Sequence, residues 1–393
     1  MPRFEPFRAL RYATDDIDAV TSPPYDVFDE ITRASYAAQH PHNVVRVDYP
    51  VESEGATKYE QAAQTLAEWI LSAVLVADGS PSFSLYRMSF VDDAGRSRST
   101  VGVIGALEVV DEGGAGVLPH ERTTPKAKTD RLDLTRATRS NLSPIWGLSL
   151  TSGLTSLLLE PGQVMSICTD ENGVIHQIER ISRPERISAI RYAVSSHPVL
   201  IADGHHRYAI SRTYRDEQRL VTNSTTSELT MTYIAELVQD QLSVAAIHRL
   251  YDLSAEELLA ALGAFYELIK KSAVSKQTLS DMDDQNCICL VDEKGVGTFL
   301  RPIAAAFTGV RKMDSAQLEH ALSKTKHDVQ YQHGVKEVLD ALSSKTAQSA
   351  ILIRPVSIDE IRRTASTGDL MPPKSTFFTP KLRTGLVMRS LEV

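Results

Sequence analysis

Cysteine is scarce in this 393-residue chain. The three present, Cys168, Cys287 and Cys289, are too few and too oddly spaced for a disulfide framework. Cys287 and Cys289 fall on one face of an apparent strand from Asn286 to Val291, but no second pair or histidine cluster accompanies them, so they read as buried structural thiols rather than metal ligands. Long apolar runs are also missing. The longest, Ile70 to Ala77 and Val101 to Val110, fall far short of the roughly 20 residues of a membrane span. No basic-then-apolar leader opens the chain, and the expected location is the cytoplasm, with no membrane partner. There is no block of like charge: 42 Lys and Arg stand against 50 Asp and Glu, a net charge of -8. A nucleic-acid binder needs a concentrated basic surface to displace counterions, so nucleic acid is not expected as a partner.

What is present is an ordinary globular composition, 42% hydrophobic and 23% charged, in a chain long enough for two domains. Turn-rich sequence around Thr21-Ser22-Pro23-Pro24-Tyr25-Asp26 comes first. A short strand is expected at Val44 to Val47, an amphipathic helix over Thr57 to Val74, and two strands near Phe83 to Phe90 and Thr100 to Val110. Thr124 followed by Pro125 is a helix start, an N-cap residue with proline at the first helical position, leading to about Ser140. Strands at Leu229 to Val238 and Leu242 to Leu250 precede a helix capped by Ser254. A boundary placed near residue 250 divides the chain into 1–250 and an α/β domain over 251–393. In the tail from Met371 to Lys381, the pair Phe377-Phe378 calls for docking on the body of the protein.

The chemistry concentrates at Ile201-Ala202-Asp203-Gly204-His205-His206-Arg207, a short apolar strand that turns straight into a helix over His206 to Leu220. Such a bend leaves backbone N–H groups at the positive end of the helix dipole, where an anion is favoured. Gly204 lets the backbone adopt positive φ. Arg207 can offer a planar fork to phosphate oxygens, His205 and His206 can donate hydrogen bonds or protons, and Asp203 can accept one or help hold a metal. Taken singly, Asp203 could be an N-cap, the histidines solvated and Arg207 paired with a surface acid. Five such residues in a row favour a site.

With Pro23-Pro24-Tyr25-Asp26-Val27, Pro41-His42-Asn43, His120-Glu121, Asn141-Leu142-Ser143-Pro144 and Lys374-Ser375-Thr376, this turn resembles the ParB/sulfiredoxin superfamily. Within it, the chain is similar to the free serine kinases and to a related bacterial family that carries Asp-Gly-His-His-Arg. The resemblance implies a mixed α/β, ParB/sulfiredoxin-like core with a mixed sheet and large insertions. It also implies a cytoplasmic kinase that uses ATP or ADP with Mg²⁺ to phosphorylate a small hydroxyl amino acid, free L-serine to O-phospho-L-serine. The alternative is a non-catalytic nucleotide-binding regulator. Where sulfiredoxin-like members have a reactive cysteine this chain has His205, which removes that nucleophile. The resemblance makes Glu121 the base, with Asp203 the runner-up, and Gly204, His205, His206 and Arg207 the nucleotide contacts.

Substrate contacts are expected from Tyr25, Asp26, Lys128, Arg131 and Asn141. Lys128 and Arg131, three apart on a helix, form either a clamp for a carboxylate or a solvated basic face. Asn141 and Ser143 either read polar groups or cap a helix, and Tyr25 and Asp26 form either a lid or a proline-rich turn. The sequence leaves the metal ligands and the oligomeric state open.

Overall fold

A computed structural model describes residues 1–393 except 53–56, 92–96, 120–127, 239–240, 276, 369, 373 and 393; of Lys128, Thr129 and Ala365 it describes the backbone alone. The chain is a mixed α/β protein that forms two compact units. One comprises Met1–Pro119, Thr123–Ser243 and Pro380–Val393, the other Val244–Thr379. Among the described residues no helix is long and apolar enough to cross a membrane.

The first unit is organised by a mixed sheet with nine described strands: β1 (Phe4–Glu5), β2 (Phe83–Val91), β3 (Ser97–Glu108), β4 (Val117–Leu118), β5 (Ile145–Ser149), β6 (Gln163–Thr169), β7 (Ile175–Ile181), β8 (Val199–Asp203) and β9 (Leu229–Glu236). Their order is β4-β8-β5-β9-β3-β2-β7-β6, with β1 also on β3. β8 runs parallel to β4 and antiparallel to β5, while β9 runs parallel to β5 and antiparallel to β3. β-branched and aromatic residues on alternate positions supply the core, with Phe4, Phe83, Leu85, Val103, Val199 and Ile234 buried together.

The expected helix over Thr57 to Val74 is α2 (Lys58–Leu71), held at its start by a reciprocal capping box between Thr57 and Glu60. The strand expected at Val44 to Val47 is instead a single helical turn, α1 (Val45–Asp48). Its cause is Asn43, which accepts from the Val45 N–H at 3.1 Å and donates to the Ala19 carbonyl at 2.7 Å, curling the backbone before an extended pairing can form. The start of the helix expected from Thr124 lies outside the described residues; the described helix is α3 (Lys128–Thr138).

The last fourteen residues are fastened to the first unit. Leu10 and Met388 exchange backbone bonds at 2.9 and 3.1 Å, and Arg389 pairs with Asn141. Buried Arg383 donates to Thr21 Oγ1 at 2.6 Å while its own N–H donates to the Tyr86 hydroxyl at 2.9 Å. Of the expected docking pair, Phe378 is buried and Phe377 stacks on His333 within the second unit.

The second unit carries an antiparallel sheet of six described strands, β10 (Ile247–Tyr251), β11 (Tyr266–Ala273), β12 (Ile288–Val291), β13 (Val296–Pro302), β14 (Val329–His333) and β15 (Ser349–Leu352), in the order β11-β13-β12-β15-β10-β14. The helix Ala255–Leu262 is capped by Ser254, as expected. Cys287 and Cys289 are buried free thiols, and among the described residues no group of three or more His, Cys, Asp or Glu is placed to hold a metal ion.

His248 lies buried in β10, where its Nδ1 accepts from the Ile353 N–H at 3.3 Å. Burial, aided by Arg249 and His333, pushes its pKa down to about 4. Because the unfolded chain protonates first, near the ordinary value of about 6.5, this contribution to stability is complete above that pH and is lost as pH falls towards 4. Denaturant titrations between pH 7 and 4 are expected to show a falling stability whose slope is shallower in His248→Asn.

Candidate functional site

The expected strand–turn–helix is present. β8 ends at Asp203, Gly204 takes φ 86° and ψ 28°, and α4 (His205–Val221) begins at once. The first intrahelical bond, Tyr208 N–H to the Gly204 carbonyl at 2.9 Å, leaves the amides of residues 205–207 ahead of the ladder, and the N-cap residue, a glycine, has no side chain to offer them. Asp203 is therefore not the N-cap. Its Oδ2 receives two cations instead, Arg207 Nη2 at 3.3 Å and Lys381 Nζ at 3.4 Å.

The helix is a rigid platform. Tyr208 donates to the Glu108 carbonyl at 2.9 Å and accepts from the Val110 N–H at 2.8 Å. Buried Arg215 bonds the Val109 carbonyl and holds Asp111 at 2.7 Å. Leu132 of α3, Ile210 and Tyr214 of α4 and Leu391 of the tail form a local apolar cluster that locks these elements together.

Arg207 does not reach for a distant surface acid. Its guanidinium folds back over Gly204, and Nη1 donates to the Pro144 carbonyl at 2.5 Å and to Ser143 Oγ at 3.3 Å. A Cβ at residue 204 would come within 3.2 Å of Arg207 Nε. Gly204→Ala therefore forces both a left-handed backbone, at about 1–2 kcal/mol, and a displaced guanidinium. The thermal unfolding midpoint should drop by several degrees; a variant with an unchanged midpoint would contradict the placement.

The charges around the turn reinforce one another. Burial alone would raise Asp203, but Lys381, Arg207 and His205 overcome it and hold the carboxyl far below its usual range. Burial alone would lower Arg207, yet Asp203, with Asp26, Tyr25 and Asp48, keeps it above its ordinary value.

Arg207 also lines a hollow of about 480 Å³, open mouth included, whose wall contains Tyr25, Asp48, Arg131, Asn141 and Ser143. Arg131 turns inward from α3. Its Nη1 donates to the Asp48 carbonyl and lies 3.2 Å from Asp48 Oδ1, and its guanidinium stacks 3.3 Å from the centre of the Tyr25 ring. Burial raises Asp48, although Arg131 and Arg207 pull it down. Asp26 is exposed at the edge of this group. Asn141 Oδ1 accepts from the Met231 N–H at 3.0 Å and from Arg389 at 3.3 Å, so its side chain ties strands and tail as well as lining the hollow.

The structure thus brings Tyr25, Asp203, Gly204, Arg207, Arg131 and Asn141 to one region. Glu121 lies outside the described residues, as does the side chain of Lys128. Two residues of the site escaped the sequence reading. Asp48 directly follows the four residues, Val44 to Val47, that pass for a strand. Lys381 stands 178 positions from its partner, although the aromatic pair Phe377-Phe378 in the same tail was a signal that it docks.

The chain belongs to the family described as Protein of unknown function (DUF1015), which matches residues 4–332. No curated protein matches it. Among solved structures it is similar to a mutant free serine kinase in complex with ADP, at 15% identity and a TM-score of 0.37, over 67% of this chain and 84% of that one. It is also similar to a conserved hypothetical protein from Pyrococcus furiosus (12% identity, TM-score 0.37, 67% and 87% covered) and to C-terminally truncated SbnI from Staphylococcus aureus (12%, 0.39, 71% and 84%).

Proposed function

We propose that the chain is a small-molecule kinase that transfers a phosphoryl group from ATP or ADP to a hydroxyl, with free L-serine the leading acceptor. The observation that carries this reading is the strand–turn–helix bend at left-handed Gly204, where Asp203 holds both Lys381 and Arg207 and Arg207 lines an open hollow. Phosphoryl transfer asks chiefly for positioning and charge neutralisation, and helix amides with a guanidinium and an ammonium supply both. Asp203 fits a magnesium-bearing nucleotide as well. Mg²⁺ in such sites is held by one or two carboxylates plus phosphate oxygens, and a carboxyl kept ionised by its neighbours suits that role.

When bound, the Mg-nucleotide supplies the phosphoryl group. The amides at 205–207, Arg207 and Lys381 hold its oxygens, His205 and His206 donate hydrogen bonds, and Glu121 accepts the proton of the attacking hydroxyl. Asp203 is the runner-up, since cations that depress its pKa lower its proton affinity. Incubating the purified chain with Mg-ATP or Mg-ADP and a panel of hydroxyl compounds, followed by phosphorus NMR, tests the reading. O-phospho-L-serine is the expected product. Saturable nucleotide binding with no phosphorylated product would instead establish a nucleotide-binding regulator.

A further inference from the structure

Among the described residues, the hollow beside Arg207 is lined by two guanidiniums and one carboxylate, all three of them largely withdrawn from solvent. Three of the five N–H groups of Arg207 are engaged, by Pro144, Ser143 and Asp203, and the rest are assigned to the phosphate cradle. Arg131 is the second guanidinium on the wall. It is more than nine-tenths buried, its plane is fixed by the Tyr25 ring, and Nη1 alone is taken by Asp48. Its buried Nε donates no hydrogen bond among the described residues; the nearby Asp130 Oδ2 is 3.7 Å away, and the other oxygen of Asp130 is held by Lys58 and Tyr59. A buried guanidinium N–H without an acceptor is costly, and a planar anion is the ligand that would satisfy it. Among the described residues that line this wall, Asp48 is the one carboxylate. A simple anion entering beside it would meet repulsion, whereas a molecule bearing both charges would meet a complement for each.

We propose that this hollow is the head-group site for an α-amino acid acceptor, in which Arg131 holds the α-carboxylate and Asp48 accepts the α-ammonium. This rests on the reading that the Asp203 turn transfers a phosphoryl group, and it adds the basis of acceptor choice. Tyr25 is a positioning residue, since its ring sets the plane of the Arg131 fork. The hollow is large enough for a small amino acid and opens beside Arg207, so a side-chain hydroxyl held by its head group points towards the phosphate cradle.

The test compares L-serine, ethanolamine, which lacks the carboxylate, and 3-hydroxypropanoate, which lacks the ammonium, by calorimetry on the full chain with Mg-ADP present. L-serine is expected to bind, and each analogue to bind at least about tenfold more weakly, the loss of one charged hydrogen bond. Asp48→Asn should weaken L-serine to the level of 3-hydroxypropanoate while sparing 3-hydroxypropanoate itself. Arg131→Lys should weaken L-serine towards ethanolamine while sparing ethanolamine. The proposal is overturned if L-serine does not bind, if the wild type does not distinguish the three, or if the folded variants weaken all three alike. The wild-type comparison decides even where a variant fails to fold. Discrimination without any phosphorylated product would remove the kinase reading and leave the head-group site standing.

Discussion

Arg207→Ala is expected to lower turnover by about 10²–10³-fold, the usual loss when one preorganised donor to developing charge is removed. Nucleotide affinity should fall with it, by roughly 10- to 100-fold, because a charge-assisted hydrogen bond to phosphate contributes about 1.5–3 kcal/mol. The same side chain bonds Pro144, Ser143 and Asp203, so a lower thermal midpoint is also expected. Arg207→Lys separates these effects. It keeps the charge beside Asp203 but not the fork, and should restore part of the affinity and little of the turnover. Steady-state kinetics with calorimetry on both variants check this; unchanged nucleotide affinity in a folded alanine variant would remove Arg207 from the cradle.

Glu121→Ala should produce the second large effect, a loss of about 10²–10⁴ in turnover with nucleotide affinity nearly intact, the result expected of the proton acceptor proposed above. Loss of binding with normal residual turnover would reject that role. Asp203→Asn makes the contrast. With Lys381 and Arg207 both on its Oδ2, Asp203 is bound into the cation cluster, and its replacement should weaken nucleotide binding first.

How much of this was legible follows from the range of the interactions. Asp203-Gly204 with its histidines and arginine is local: an apolar strand, a residue that tolerates φ 86° and a helix with Tyr208, Ile210 and Tyr214 on its buried face are all written within sixteen residues. So are the capping boxes at Thr57 and Ser254, which need only a partner three positions on. The turn at Val45–Asp48 was not legible, because four residues cannot display a period. What decides it is Asn43 reaching back to Ala19 and Thr21. Lys381 at Asp203, and Arg131 turned inward on Asp48 rather than outward on a basic face, depend on chain segments 178 and 83 positions apart, which no local pattern encodes. Asn141 shows the same limit. Its place at the end of a helix suggested either a reader of polar groups or a cap, while its partners in the structure are Met231 and Arg389.

A crystal grown with Mg²⁺ and a non-hydrolysable ATP analogue tests the phosphate cradle most directly. The account predicts phosphate oxygens at about 2.7–3.2 Å from the amides of residues 205–207 and from the Arg207 guanidinium, with Lys381 on the same group. A nucleotide seated elsewhere on the chain, with Arg207 still on Pro144 and Asp203 and no phosphate at the start of the helix, would contradict it.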